Sequence, residues 1–349
     1  MQRKKTKKIF VGKVPIGGHS NITVRSMTNT ITKDVESTVK QIKELEEAGC
    51  DIIRSAITDM EDAKAIGEIK RQINIPFVAD IQYDYKLAIS AAKNGADCLR
   101  INPGNIGSEL KVREIVNVCK EMNIPIRIGT NSGSIKKEFL EKYNGVNENS
   151  LVYSTLEQIR LLENMGFYNM KLSLKASSVP LSIKSYEMIS NLVDYPLHVG
   201  ITESGPIWRG TIKSAVGIGT LLSKGIGDTI RISLTGDPVE EIKVGREILK
   251  SLDLLDEGVE IISCPTCGRT KIDLIKMVEE VEVALENINK PIKVAIMGCP
   301  VNGPGEAKEA DIGIAGGKGE GLIFKNGKII KKVKEEFLIE ELIKEIEKL

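Results

Sequence analysis

The chain has 349 residues, 28% of them charged, and a formal net charge of +1. That length suits one large domain or two ordinary ones, and the near-neutral balance excludes a whole-molecule attraction to nucleic acid. No apolar run approaches membrane-spanning length, and six cysteines without secretory features indicate a reducing compartment rather than a disulfide framework. The chain is therefore expected in the cytoplasm, without a membrane or nucleic-acid partner.

The first eight residues form a basic run that lacks the apolar stretch of a secretory signal, and they read as a solvated tail. Residues 8–17 then suggest a short β-hairpin. Beyond it one pattern repeats eight times: a short apolar strand, a polar or glycine-bearing loop, and a helix of 3.6-residue period. The strands are expected near 22–27, 51–57, 76–81, 98–102, 125–130, 169–175, 197–202 and 229–234. The helix at 33–48 aligns Val35, Val39, Ile42 and Leu45 on one face and stops at Gly49. Gly95 and Gly166 play the same part later. Eight strand–helix units in about 250 residues predict an α/β fold, a (β/α)8 TIM-type barrel over residues 1–255. A doubly wound sheet is the competing architecture, and it has no need of so regular an eightfold count.

A barrel of this kind gathers function at the C-terminal ends of its strands. Arg25, Arg54, Asp80, Arg100, Arg127, Lys175, Glu203 and Arg231 recur in or just beyond successive strands. The one long interval contains residues 132–150, a polar surplus suited to a lid or an extra helix over the mouth. Alternation puts Thr229, Arg231 and Ser233 on one face, and Lys171, Ser173 and Lys175 on another. Arginines inside a barrel are costly to desolvate unless an anion meets them, and their forks match phosphate oxygens. Five basic residues on five strands therefore indicate a phosphorylated or diphosphorylated substrate. Glu203 is a candidate acid or base. His198 reads equally as a site residue and as a packed strand histidine. His19 reads as structural. Asp80 is a site candidate, whereas Asp84 suits a helix N-cap.

An acidic link at 253–258 leads into a second α/β domain, residues 256–349. A strand at 259–263 ends in Cys264-Pro-Thr-Cys267. A helix at 272–285, a strand at 292–297, the turn of Cys299-Pro-Val-Asn-Gly-Pro-Gly-Glu306, a strand-like 310–315 and a final helix follow. Gly316 to Gly321 lacks P-loop spacing and reads as a turn. The three motif cysteines have metal-ligand spacing. Thiolates here suit zinc or an iron–sulfur cluster. No histidine follows residue 198, which leaves a zinc set incomplete. In a cubane held by three thiolates, Glu306 would be a replaceable ligand on the fourth iron. Cys50, Cys98 and Cys119 lie outside the motif and read as buried, inert thiols.

Six stretches in order give the chain a family resemblance. They are Ser26-Met-Thr-Asn-Thr30, Arg100-Ile-Asn-Pro-Gly-Asn105, Arg127-Ile-Gly-Thr-Asn131, Gly200-Ile-Thr-Glu-Ser-Gly205, Cys264-Pro-Thr-Cys-Gly-Arg-Thr270 and the Cys299–Glu306 run. Over essentially its whole length the chain resembles the bacterial 4-hydroxy-3-methylbut-2-enyl diphosphate synthases of the methylerythritol phosphate route to isoprenoids. The resemblance implies reductive ring opening of 2-C-methyl-D-erythritol 2,4-cyclodiphosphate by a barrel and a [4Fe–4S] domain, with one cluster per chain. It implies Cys264, Cys267, Cys299 and Glu306 as cluster ligands and Glu203 as acid–base residue. Arg54, Arg100, Arg127, Asn131, Lys175, Arg231 and Ser233 become the substrate set, beside His198 and Asp80. It also implies flavodoxin or ferredoxin as electron donor, and a homodimer whose active site is shared between chains. One position departs: the family commonly has histidine where this chain has Gln82.

Two rival readings differ in class. A non-redox phosphate-handling barrel transferase with a structural zinc domain predicts a colourless zinc protein. An iron–sulfur electron carrier or zinc-ribbon module leaves the polar barrel mouth without a purpose, and no aromatic–basic interleaving supports nucleic-acid stacking.

Overall fold

The computed structural model of the chain describes residues 2–286, 288–299 and 309–349. These form two compact units, 1–255 and 256–349.

The first unit begins with a hairpin, β1 (Ile9–Val11) and β2 (Val14–Ile16). Eight parallel strands follow: β3 (Thr23–Met27), β4 (Ile52–Ala56), β5 (Phe77–Asp80), β6 (Cys98–Ile101), β7 (Ile126–Asn131), β8 (Met170–Lys175), β9 (His198–Val199) and β10 (Thr229–Ile230). Their order is β8-β7-β6-β5-β4-β3-β10-β9, and a parallel bridge from Leu172 to Leu197 closes the ring. This is the expected barrel. The closing seam has little ladder, and a side chain completes it. The Tyr186 hydroxyl donates to His198 O at 2.6 Å and accepts from Leu174 N at 3.1 Å.

Two devices set the N-terminal end. Aspartates just before strands accept the N–H that a neighbouring strand would otherwise leave unpaired. Asp51 takes Val24 N, Asp97 takes Phe77 N and Asp228 takes Leu197 N. The hairpin supplies the floor, where Ile9, Val11 and Ile16 pack against Ile52, Val78 and Cys98. The outward-facing strand residues join the helices in one large core.

The sequence reading needs two corrections here. The basic N-terminus is not a solvated tail. Thr6 is buried and its hydroxyl donates to Asp228 at 2.9 Å, Arg3 pairs with the same carboxylate, and Lys4 N and Lys7 N bond to Gly225 O and Asp194 O. Strands β9 and β10 are two residues each, not six. Gly200 lies so close to Arg231 that a Cβ there would stand 2.7 Å from the Arg231 carbonyl oxygen. The polar surplus after β7 does carry an extra helix, Lys137–Lys142, and the start of a longer one, Glu148–Asn164.

The second unit has a five-stranded sheet in the order β11 (Val259–Ser263), β12 (Ile292–Met297), β13 (Ile312–Gly316), β14 (Glu320–Lys325), β15 (Lys328–Lys334). The first three strands are parallel, and the last two return as an antiparallel hairpin that the sequence reading did not anticipate. The helices Leu274–Leu285 and Leu338–Glu347 contribute their apolar faces to its core. The glycine-rich segment 316–321 is the β13–β14 turn, closed by Gly317 N to Glu320 O at 2.7 Å. Among the described residues no helix is long and apolar enough to cross a membrane.

Candidate active site

Pleating decides which side chains enter the barrel. Lys171, Ser173 and Lys175 point inward from β8, while Leu172 and Leu174 join the outer core. The same parity sends Arg25, Arg54, Asp80, Arg100 and Arg127 inward from β3 to β7. Arg231 follows from the end of β10, with Ile230 and Ile232 packed outward. Arg25, Arg127 and Lys171 are fully buried, and Arg54, Arg100 and Asp80 are at most 5% exposed.

One carboxylate organises this cationic interior. Asp80 Oδ1 accepts from Arg100 Nη1 at 3.1 Å, and its Oδ2 lies 3.3 Å from Arg54 Nη1. Burial pushes the Asp80 carboxyl up, but Arg54, Arg100, Arg127 and Lys175 together hold it down at about 2. Arg127 Nε donates to Ser173 Oγ at 3.1 Å. Many donors are left over. Arg54 Nε, Arg100 Nε, both Arg127 Nη atoms, all three Arg25 nitrogens and Lys171 Nζ are buried without a protein partner. Burial first, and mutual repulsion with it, lowers Arg54, Arg127 and Lys175 well below their ordinary values. Such a cluster is preorganised for an anion: its side chains are buried and held in place, and its forks match oxygen acceptors.

His198 is both packed and at the site. Its Nδ1 lies 2.6 Å from Thr229 Oγ1. Burial, then Arg127, Arg25, Lys171 and Lys175, push the imidazolium down, so the ring is neutral. It lines a small recess with Tyr186, Gly200, Lys175, Arg231 and Ser233. Asn131 ends β7 with its Oδ1 buried and unpartnered, and its backbone N donates to Ser134 Oγ at 3.1 Å. Glu203 stands exposed on the loop after β9 with φ +53°, a left-handed conformation that is rare outside glycine and concentrates at functional sites. The buried Ser204 hydroxyl donates to Ile201 O and steadies that loop. Gln82 Oε1 accepts weakly from Arg100 Nη1 at 3.4 Å. Asp84 caps its helix by accepting from Lys86 N.

Sequence reasoning missed Glu241. This buried residue of the helix Pro238–Lys250 accepts from the Ser26 hydroxyl at 2.7 Å and from Leu234 N at 3.1 Å. Its Oε2 lies 3.7 Å from Arg231 Nε. A glutamate on an otherwise apolar helix stripe was the available signal.

In the second unit Cys264 and Cys299 follow the adjacent parallel strands β11 and β12. Cys264 N donates to Ile296 O, Gly298 N donates to Cys264 Sγ at 3.2 Å, and Lys271 N donates to Gly298 O. Cys264 is half-buried, Cys267 exposed and Cys299 buried. The backbone N–H of Arg269 is the largest influence lowering the Cys267 thiol. Among the described residues no three His, Cys, Asp or Glu side chains converge as a metal-binding group. Glu306, the expected fourth ligand, lies outside the described residues. The donor chemistry fits an iron–sulfur cluster: soft thiols at strand ends, and a backbone N–H directed at sulfur. Cys50, Cys98 and Cys119 are buried, with burial pushing the Cys50 thiol up to about 12.

Comparison with known proteins agrees with this division. Residues 6–246 match the GcpE TIM-barrel domain, and residues 260–348 match the GcpE protein C-terminal domain. The chain belongs to the GcpE family. Its family relatives include 4-hydroxy-3-methylbut-2-en-1-yl diphosphate synthases (flavodoxin) from several bacteria. The Clostridium perfringens protein is 63% identical over 347 residues, covering 99% of each chain. The Geobacillus kaustophilus protein is 56% identical over 349 residues, covering all of this chain and 93% of its own. Among solved structures, dihydropteroate synthase from Stenotrophomonas maltophilia aligns with 71% of this chain and 98% of its own at a TM-score of 0.53. At 11% identity that likeness shows the barrel fold alone.

Proposed function

We propose that this GcpE-family chain catalyses the reductive ring opening of 2-C-methyl-D-erythritol 2,4-cyclodiphosphate to 4-hydroxy-3-methylbut-2-enyl diphosphate in isoprenoid biosynthesis. Full-length identity to synthases of that name supports the reaction. The observation that carries the reading at the site is the set of buried, unpartnered Arg54, Arg100 and Arg127 donors around Asp80.

In this reading Arg54, Arg100 and Arg127 take the diphosphate oxygens. Lys175, Arg231, Asn131 and Ser233 complete its cradle, and neutral His198 gives shape and a hydrogen bond rather than charge. Asp80 holds Arg54 and Arg100 apart and in register, so the forks meet the substrate without reorganising. Glu203 holds or moves the proton that converts the departing hydroxyl to water. Gln82 supports Arg100 and transfers no proton.

Cys264, Cys267 and Cys299, with Glu306, would hold a [4Fe–4S] cluster. When bound, such a cluster supplies single electrons and a Lewis-acidic iron. The names of the relatives support flavodoxin as the electron donor, with ferredoxin the other candidate. We also propose a cytoplasmic homodimer with the active site shared between chains.

Anaerobic purification followed by iron and sulfide determination tests the cofactor. About four of each per chain is the expected result. A colourless protein containing stoichiometric zinc would overturn the assignment and favour the non-redox barrel with a structural zinc domain.

A further inference from the structure

The diphosphate site does not account for the deepest cations. Arg25 on β3 and Lys171 on β8 lie below it, beside Cys98 of the apolar floor. Both are fully buried. None of the three Arg25 nitrogens has a protein partner, and neither does Lys171 Nζ. Arg127 adds two more unpartnered nitrogens and is close enough to repel both of them. Three basic side chains from three strands thus share a buried interior, and six of their nitrogens lack a protein acceptor.

The charge balance sharpens this. Counting the arginines alone, Arg25, Arg54, Arg100, Arg127 and Arg231 enter the barrel, against the carboxylates of Asp80 and Glu241. Three positive charges remain uncompensated. A cyclic diphosphate keeps roughly one negative charge on each phosphorus, as a phosphodiester does, and so offsets about two of them. Water would satisfy the hydrogen bonds but not the charge.

We infer that Arg25, Lys171 and Arg127 form a second, buried anion site beneath the substrate, suited by its charge to a small inorganic monovalent anion such as a halide. Its occupant neutralises the floor tier and keeps Arg127 aimed upward at the diphosphate. The substrate part of the charge count rests on the function proposed above, whereas the unpartnered deep donors do not.

Crystals of the full chain soaked in sodium bromide test the site. Anomalous scattering should place bromide within hydrogen-bond distance of Arg25 and Lys171. Pyrophosphate should displace any bromide from Arg54 and Arg100 and leave the deep ion in place. In Arg25→Met the deep peak should be lost. Replacing chloride with gluconate should lower the melting temperature of the wild-type protein. A water in place of bromide at Arg25 would overturn the proposal. So would loss of the deep peak on pyrophosphate binding, because the tier would then belong to the substrate. The bromide result does not depend on turnover, so failure of this inference and failure of the assigned reaction are separable.

Discussion

Asp80 Oδ1 accepts a hydrogen bond from Arg100 Nη1 at 3.1 Å inside a barrel where both side chains are almost completely buried. The pair lies across adjacent strands in direct register, Asp80 on β5 opposite Arg100 on β6. The other Asp80 oxygen faces Arg54. One carboxylate therefore holds two buried arginine forks in place, the pair proposed to meet the diphosphate.

Asp80→Asn should destabilise the unliganded protein by about 3–5 kcal/mol, because it leaves buried arginines without their counter-charge. Pyrophosphate should restore part of that loss. Thermal unfolding with and without pyrophosphate would show a larger ligand-induced shift in the variant than in the wild type. Equal shifts would mean that Asp80 does not balance the site.

Arg127→Met removes two unpartnered donors and a charge while keeping a packed side chain. Charged hydrogen bonds are worth about 1.5–3 kcal/mol, so pyrophosphate affinity should fall about 10- to 100-fold. Calorimetric titration checks this. Unchanged affinity would remove Arg127 from the cradle.

Glu241 acts through Arg231 and the segment that carries it. Glu241→Gln keeps the acceptor for Leu234 N but drops the charge facing Arg231 Nε. KM for the cyclodiphosphate should rise about tenfold, the equivalent of 1.4 kcal/mol, with kcat changing less. A merely structural role would lower the melting temperature and leave KM alone.

Lys171 sets a pH dependence. Burial lowers its ammonium to about 7, with Cys98 opposing and Arg25 and Arg127 reinforcing the shift. In the unfolded chain it titrates near 10.4. Between those values the unfolded chain holds a proton that the folded chain lacks, so stability rises with pH across that window. In halide-free buffer, urea unfolding of the wild type should show a steeper gain from pH 7 to pH 9 than Lys171→Met. Parallel pH profiles would contradict it.

Much of this was readable from the chain because barrel strands alternate so regularly. The inward set on β8 and in the β10 segment follows from parity alone, and the cysteine pair from its spacing. Other features depend on tertiary chemistry that a local pattern does not carry. The lysine-rich N-terminus looks solvated, yet it docks through backbone N–H groups and through Arg3 and Thr6 on one distant aspartate. Strand β15 is nearly all exposed lysine and isoleucine, which conceals an edge strand. Just beyond the short β9 and β10, Gly200 closely approaches the Arg231 carbonyl, a contact between segments 31 residues apart in sequence that no local pattern carries. Arg25 and Lys171 were visible as inward-facing cations, but their lack of partners appears only once the barrel is closed.

The most direct measurement is anaerobic turnover. Protein carrying a full complement of iron and sulfide, supplied with reduced flavodoxin and 2-C-methyl-D-erythritol 2,4-cyclodiphosphate, should release 4-hydroxy-3-methylbut-2-enyl diphosphate. The Glu203→Gln variant should bind the cyclodiphosphate and form product far more slowly. Intact cyclodiphosphate after incubation with the fully loaded wild-type protein would contradict the account.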